Sequence, residues 1–545
     1  MSPVARPDAE PGGSAAKQNT PEFDVVIVGY GPVGQLTARL LGGRGWRVGV
    51  VERWPEAYKR PRAVGFDDEI ARILAAAGLA RQFPYFSEPA PDYEWRNAAG
   101  QTLLYYNRRR IGASGWPQVN RFHQPHLEQA LDARVRELPS VQVRRGHEAT
   151  ELADLGDLVE VTVRGPDQQH YTLRAAYVIG CDGANSFVRE RMRTSVTDLG
   201  FFFDWLIVDV IPHDPWPQIN LQICDPARPT TLVSGGPGRR RWEFMRLSGE
   251  SVEDLNRPET AWQLLKPWNL TPDNATLERH TVYTFQARWA DNWRDGRLLL
   301  AGDAAHQMPP FAGQGMCSGM RDAVNLAWKL DLVLRRTAPL TLLDTYTSER
   351  RAHVQHAIGD SIELGKVCCV TDPGAADARD EAMLKADTRP ELALPPIPPA
   401  VLGPGLLHSS PDGQPVPPAG QLARQGWVRA PDGRTGLLDE IVGTGFHVMA
   451  MADPCPHLST GQRDFLASIG ARLIHMAPPD QQFTPEDAQR AGLDMVGDLD
   501  NVLRDAGHAA AIVRPDFYLY GTAASLTDLP ELVDELRAGL ARTTP

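Results

Sequence analysis

The sequence predicts an α/β protein whose largest part is built on a buried parallel sheet. Three apolar runs support this fold class: Phe23–Val28, residues 177–180 and residues 297–301. Each run is short, is rich in aliphatic residues and leads into a turn that contains glycine. Such runs are typical of parallel strands that are covered on both faces.

The first run opens a βαβ unit. A helix is predicted over about residues 33–43, because apolar residues recur there at helical spacing. A second buried strand follows over residues 47–51 and ends at Glu52. Another helix is predicted much later, over about residues 322–334.

Between residues 195 and 278 the pattern changes. Strand-like segments at residues 206–211, 231–234 and 242–247 are separated by proline-rich turns. This pattern predicts a β-sheet that is inserted within the first domain, and we expect the sheet to carry the substrate. The first domain would then consist of two stretches, residues 22–194 and residues 279–388.

The remaining segments are a leader, a linker and a third domain. Residues 1–21 are rich in Pro, Ala, Gly and charge, so we expect a disordered leader and no secretion signal. The dense Pro/Gly stretch at residues 389–420 predicts a linker. Residues 421–545 follow as the third domain. Its predicted elements are three strands and a closing helix, at residues 445–452, 471–476, 510–513 and 528–541.

Composition excludes several classes of function. The net charge is −12, from 56 basic and 68 acidic residues. Nucleic-acid binding needs a positively charged surface, so this acidic composition disfavours it. No apolar run approaches the ~20 residues that cross a bilayer. The six cysteines contain no CxxC pair for zinc or dithiol chemistry. We therefore expect a cytoplasmic protein without a metal site, a membrane contact or a nucleic-acid partner.

Two basic runs stand out locally, Arg108–Arg110 and Arg239–Arg241. We interpret each run as a solvated loop. The alternative is that one of them binds the phosphate of a nicotinamide nucleotide.

The turn after the first strand carries a Gly29-Tyr-Gly31-Pro32-Val-Gly34 motif. Gly29 permits the tight turn from strand to helix, Gly31 lets the backbone approach a pyrophosphate, and Gly34 lets helix and strand pack closely. The helix N-terminus offers free N–H donors to the phosphates. Glu52 is placed to accept a hydrogen bond from the adenosine ribose. The motif predicts a Rossmann-like site for FAD or NAD.

Two later sequence segments distinguish an FAD site from an NAD site. Cys-Asp-Gly-Ala-Asn-Ser-Phe-Val-Arg stands at residues 181–189, and Gly-Asp-Ala-Ala-His stands at residues 302–306 and leads to a Pro/Gly-rich turn at residues 309–316. Together with the first motif, the chain resembles the class A flavoprotein aromatic hydroxylases, the family of para-hydroxybenzoate hydroxylase and phenol hydroxylase. The resemblance covers about residues 23–356.

Finer detail narrows this resemblance. Residues 62–69 and 122–128 look similar to the 3-(3-hydroxyphenyl)propionate hydroxylase branch and to related polyketide-tailoring hydroxylases. The third domain resembles the thioredoxin-like domain that is appended to several of these enzymes. It holds Cys455 as its one cysteine, so a structural or subunit-contact role is expected instead of dithiol chemistry.

The resemblance implies roles for individual residues of an FAD site. Glu52 would hold the adenosine ribose with Arg53 beside it. Arg62 would lie near the pyrophosphate and the path of a swinging flavin, and Gln124 would contact the FAD chain.

At the other end of the cofactor, Asp303 would bind the ribityl hydroxyls, and Gly302 would let the backbone approach. Asp182 and Gly183 belong to a motif that serves both FAD and nicotinamide binding. An amide N–H near the isoalloxazine ring can stabilise the negative charge that develops on reduction. The residues expected against that ring are Pro310, Gly315, Met316 and Cys317.

The resemblance implies an FAD-dependent monooxygenase that hydroxylates a phenolic or polyketide-like aromatic substrate with NADH or NADPH and O2. The nucleotide would reduce the flavin and leave, and a flavin C4a-hydroperoxide would transfer one oxygen atom to the ring. The alternatives are Baeyer–Villiger oxidation, epoxidation or oxidative decarboxylation on the same flavin, and a flavin reductase that uses no oxygen. The sequence identifies neither the substrate, the position of oxygen insertion nor the residue that deprotonates the phenol. It also leaves a homodimer open.

Overall fold

The computed structural model describes residues 20–386, 401–477, 493–497, 503 and 506–541. The first nineteen residues, and with them most of the expected leader, lie outside these ranges, as do residues 389–400 of the expected linker. None of the helices within the described ranges combines the length and the apolar character that a membrane span needs. The His, Cys, Asp and Glu side chains of the same ranges form no group of three that could hold a metal ion.

The first sheet has eight strands and a parallel centre. The strands predicted at residues 23–28, 47–51, 177–180 and 297–301 all belong to it, which confirms the α/β class. Its path is Arg294–Asp295, Leu298–Leu300, His170–Gly180, Phe23–Val28, Val48–Glu52 and Val141–Arg145, with Val159–Arg164 and Glu148–Asp154 branching from His170–Gly180.

Helices cover this sheet because it is apolar on both faces; Val25, Val26 and Ile27 are fully buried. The helices within residues 20–386 are Pro32–Gly42, Asp68–Ala76, Phe83–Phe86, Gln124–Arg136, Val252–Leu255, Pro258–Leu265, Gly315–Leu334, Asp344–Cys368 and Pro373–Lys385.

The helix predicted over residues 322–334 begins earlier, at Gly315. Glycine lowers helix propensity, so Gly315 and Gly319 obscure this start in the sequence. Packing explains the presence of Gly319, because a Cβ atom there would lie 2.9 Å from the Cα atom of Gly302.

The second sheet is larger than residues 195–278. Asp92–Asn97 pairs in parallel with Leu221–Cys224 and so joins the sheet from a distant part of the chain. In spatial order its strands are His306–Gln307, Ala275–Ala290, Val196–Pro212, Arg240–Met245, Thr230–Ser234, Leu221–Cys224, Asp92–Asn97 and Thr102–Asn107. A small sheet of Gly65–Asp67, Val119–Phe122 and Ser87–Pro89 lies apart from it.

The expectation of a solvated loop at Arg239–Arg241 is wrong. Arg240 and Arg241 lie on a strand of the second sheet and are buried, at 5% and 2% exposure. Asp209 stands opposite Arg241 on the neighbouring strand and pairs with it at 2.7 Å, which compensates the buried charge.

The third sheet contains seven strands. They are Thr435–Leu437, Trp427–Arg429, Leu493–Gly497, Arg472–Ala477, His447–Ala450, Ala510–Val513 and Leu519–Ala523. Where this region is described, its helices are Leu438–Val442, Thr460–Ser468 and Leu529–Ala541. Buried polar contacts join this part of the chain to the helix Asp68–Ala76: Arg72 pairs with Asp439 at 2.6 Å, and the hydroxyl of Tyr518 donates to Glu69 at 2.8 Å.

Candidate active site

The glycine turn after the first strand is tight at two positions and open at the third. Gly29 has a φ of +98°, and a Cβ atom there would lie 2.4 Å from the carbonyl oxygen of Cys181. A Cβ atom at Gly34 would lie 2.2 Å from the carbonyl oxygen of Gly29. At Gly31 a Cβ atom would meet no heavy atom within 4 Å. The open side of Gly31, next to the helix that Pro32 begins, is where a ligand can approach the backbone.

Glu52 is fixed beside this turn. One of its carboxylate oxygens accepts from the backbone N–H of Tyr30 at 2.8 Å, and the other accepts from the N–H of Trp54 at 2.9 Å. Each oxygen keeps a lone pair for a further donor. Arg53 follows it in the chain and lies over the exposed ring of Trp54.

The turn at Asp182 is held by its own side chain. Asp182 accepts from the hydroxyl of Ser186 at 2.6 Å and from the N–H of Val188 at 3.1 Å. Burial raises the pKa of Asp182, and these hydrogen bonds oppose the rise. Gly183 has a φ of +80° and open space beside it. Asp182 thus shapes the turn, while the backbone at Gly183 faces outward.

Arg189 joins this turn to the one at Gly302. Its guanidinium donates to the carbonyl oxygens of Ala184 and Ala304, both at 2.7 Å. The two strings that the sequence singled out, far apart in the chain, therefore form one continuous edge.

The Gly302–Asp303 turn is fixed by a residue that the sequence reasoning missed. Asp322 accepts from the N–H of Gly302 at 3.0 Å, contacts the Nε2 atom of His306 at 2.7 Å and accepts from Arg350 at 2.9 Å. Burial alone would raise the pKa of Asp322, but His306 and Arg350 outweigh it and hold the pKa below its ordinary value. Asp303 itself is exposed.

Asp322 and Arg350 are both fully buried. The available signal in the sequence was the presence of charged residues within largely buried helices, but a sequence does not say which charges meet. With Asp322 occupied inside the protein, the carboxylate of Asp303 is the one left facing outward at this turn.

The N-terminus of the helix Gly315–Leu334 follows a turn at Pro310–Ala312. The hydroxyl of Ser361 donates to the carbonyl oxygen of Pro309 at 2.6 Å and so supports the turn. The first N–H groups of a helix have no partner within it, so those of Gly315, Met316 and Cys317 are available to a ligand. The thiol of Cys317 points away, toward the carbonyl oxygen of Gly65.

The segment at Arg62 is held from two sides. The side-chain oxygen of Gln124 accepts from the N–H groups of Arg62 and Ala63, at 3.0 and 2.7 Å, and its nitrogen donates to Glu128. From the other side, Arg241 donates to the carbonyl oxygen of Arg62 at 2.6 Å. Gln124 therefore holds the backbone of this segment in place. Burial raises the pKa of Glu128, which lies behind Gln124, to about 7.

Aromatic residues of the second sheet face the turn at Pro310. The rings of Trp205 and Phe311 meet edge to face at 5.8 Å. Tyr283 is the cross-strand neighbour of Trp205, and it stacks with Phe285 at 6.4 Å. We call Trp205, Tyr283, Phe285 and Phe311 the aromatic wall. Its three partly exposed rings, Tyr283, Phe285 and Phe311, are backed by the buried Trp205 and can pack against a flat apolar ring and keep water from it.

Known proteins resemble this chain along nearly its whole length. Residues 22–361 match a family model described as FAD binding domain, and residues 420–539 match one described as HcaD C-terminal domain. A probable NADH-specific resorcinol 4-hydroxylase of Rhodococcus jostii strain RHA1 is 38% identical over 98% of this chain and 97% of its own.

Two further proteins extend the comparison. The 3-(3-hydroxy-phenyl)propionate/3-hydroxycinnamic acid hydroxylase of Comamonas testosteroni is 34% identical over 96% of this chain and 97% of its own. A crystal structure of aklavinone-11 hydroxylase with FAD and aklavinone matches with a TM-score of 0.74 and 24% identity. It covers 96% of this chain and 100% of that one, and it shows a shared fold.

Proposed function

The chain belongs to the FAD binding domain family, and from this premise we propose that it is an FAD-dependent monooxygenase that hydroxylates a phenolic ring. The observation that carries the proposal is the position of the aromatic wall beside the N-terminus of the helix Gly315–Leu334. The relatives at 38% and 34% identity are named as hydroxylases of resorcinol and of hydroxyphenylpropionate, both phenols.

We propose that FAD lies along the edge that the glycine turns form. The open side of Gly31 fits a pyrophosphate, and the fixed carboxylate of Glu52 fits the adenosine ribose, with Arg53 beside it. Gly183 offers open backbone further along the edge. The exposed carboxylate of Asp303, presented by Gly302, fits the ribityl hydroxyls.

When bound, FAD supplies the redox chemistry, taking a hydride from a nicotinamide nucleotide and passing electrons to O2. The N–H groups of Gly315, Met316 and Cys317 would stabilise negative charge at the ring end of the cofactor, since a helix N-terminus favours anions. Pro310 would lie against the ring. The aromatic wall would hold the substrate and exclude water from the reacting atoms.

We propose NADH as the electron donor, because the relative at 38% identity is named NADH-specific. We also propose that the third domain, residues 421–545, is thioredoxin-like and serves packing. The match to the HcaD C-terminal domain supports a separate domain here, and the absence of a second cysteine from its sequence favours packing over dithiol chemistry. The division into a first domain and an inserted sheet at residues 195–278, and a homodimer, stay predictions.

The test is NADH consumption by purified holoenzyme against a panel of phenols, with the product analysed after reaction under isotopically labelled O2. We expect a phenol to stimulate NADH oxidation and to gain one labelled oxygen atom as a new ring hydroxyl. A labelled lactone, epoxide or decarboxylated product would favour the other oxygenations. NADH oxidation that needs no O2 would contradict the proposal and favour a reductase.

A further inference from the structure

Two arginines near the aromatic wall form no ion pair among the described residues, although Glu243 attracts Arg121 electrostatically from further away. The guanidinium of Arg108 lies 4.8 Å from the ring centre of Tyr106 and 5.6 Å from that of Tyr93, and the guanidinium of Arg121 lies 6.0 Å from the ring of Tyr93. Among the described residues, neither side chain makes an ion pair or a hydrogen bond, and the Nε atom of Arg121 is buried without a partner.

Both guanidinium groups are held in surroundings that oppose their charge. Burial lowers the pKa of Arg108, and it lowers the pKa of Arg121 to about 10. Arg121 therefore remains charged at neutral pH, and arginine side chains in general stay protonated in proteins. Both side chains are half-buried, and a partly desolvated charge that lacks a close partner is stabilised by an anionic ligand.

Nearby carboxylates are already engaged. Asp209 makes two hydrogen bonds with Arg241, at 2.7 and 3.0 Å. The ion pair of Glu243 is also with Arg241, at 3.7 Å. Arg279, on the next strand, adds a further positive charge to this face of the sheet. Positive charge is thus in excess here, even with Asp209 and Glu243 counted.

The two arginines lie close to the proposed ring end of the cofactor. Arg121 pairs across strands with Gly65, and a Cβ atom at Gly65 would lie 3.0 Å from its Nη1 atom. The carbonyl oxygen of the same Gly65 contacts the thiol of Cys317. Tyr93 packs against the buried cluster that includes Trp205.

We propose that Arg108 and Arg121 form an anion subsite that binds the carboxylate of an aromatic acid whose ring rests on the aromatic wall. The inference rests on the proposed function and deepens it, because it selects phenolic acids over neutral phenols as substrates. Two arginines can offer paired N–H donors to one carboxylate. A nucleotide phosphate has the same chemistry, and the experiment below distinguishes the two.

The experiment measures equilibrium binding to the holoenzyme by calorimetry, with 3-(3-hydroxyphenyl)propionate and with its neutral primary amide. We expect the acid to bind at least about tenfold more tightly than the amide, as for a charge-assisted contact. Arg121→Met and Arg108→Met should each remove about tenfold from the affinity for the acid and leave the affinity for the amide nearly unchanged. Arg121→Lys keeps the positive charge but lacks the paired N–H donors of a guanidinium, so it should lose less affinity for the acid than Arg121→Met does.

Arg109→Met is the matched control, since Arg109 is exposed and paired with Asp92. It should keep the preference for the acid. Equal affinity of acid and amide in the unaltered enzyme, or equal losses for both ligands in Arg121→Met, would overturn the proposal. If Arg121→Met weakened the binding of NADH and left the binding of the acid unchanged, the proposal would be overturned in favour of a site for the nucleotide phosphate. Binding is measured without turnover, so the two proposals can fail separately. If the protein prefers the acid but hydroxylates no phenol, the proposed function is contradicted and the anion subsite is still supported.

Discussion

The backbone N–H of Gly302 donates to the carboxylate of Asp322 at 3.0 Å. Asp322 lies on the helix Gly315–Leu334, so one buried side chain connects that helix to the turn that presents Asp303. The same carboxylate binds Arg350 and His306. The ribityl-binding and ring-binding parts of the proposed FAD site are thereby held in a fixed relation.

Replacing Asp322 should therefore affect both stability and flavin retention. Asp322→Asn leaves the buried charge of Arg350 uncompensated, which should lower the free energy of unfolding by about 3–5 kcal/mol. Urea denaturation and equilibrium dialysis of FAD would measure the two effects. As a control, Asp344→Asn removes an exposed carboxylate that pairs with Arg294, and it should cost less than about 1 kcal/mol. Equal effects of the two substitutions would contradict the role given to Asp322.

Gly31 and Gly34 should respond differently to alanine. Gly31→Ala adds a methyl group where the protein has no heavy atom within 4 Å, so stability should change by less than about 0.5 kcal/mol while FAD binding weakens about tenfold or more. Gly34→Ala places its methyl group 2.2 Å from a backbone oxygen, so the fold itself should be destabilised. Apoprotein melting and FAD titration separate these outcomes. Unchanged FAD affinity in Gly31→Ala would place the pyrophosphate elsewhere.

The local parts of this site were predictable, and the parts made by distant contacts were not. The strand, glycine turn and helix at Gly29–Gly34 follow from short-range spacing, and the structure confirms them. The burial of Arg241 depends on Asp209 on a neighbouring strand, and no local pattern reveals that pairing. The same holds for the strand Asp92–Asn97, which enters the second sheet from about a hundred residues away.

The start of the helix at Gly315 shows a second kind of limit. Propensity disfavours glycine in a helix, but close packing of Gly319 on Gly302 requires it. Tertiary packing thus overrides the local signal at the place where the chain builds its proposed cofactor site.

Stability should fall in acid partly through Glu349. Burial would raise its pKa, but Arg514 and Lys329 outweigh burial and hold the pKa at about 2, below its ordinary value of 4.5. Because the folded pKa is the lower one, the stabilisation is complete above 4.5 and is lost as pH falls toward 2. Urea unfolding between about pH 6 and pH 3 should show a flatter pH dependence for Glu349→Gln than for the unaltered protein. Parallel curves would contradict this assignment.

Charge reversal at Asp303 tests the proposed flavin site most directly. Asp303→Lys should weaken FAD binding about a hundredfold or more, because a lysine cannot accept hydrogen bonds from the ribityl hydroxyls. Asp464→Lys, on the exposed side of the helix Thr460–Ser468, is the control and should bind FAD normally. The measurement is the FAD dissociation constant by fluorescence titration of the apoprotein. If Asp303→Lys binds FAD as tightly as Asp464→Lys does, the cofactor does not lie along this edge.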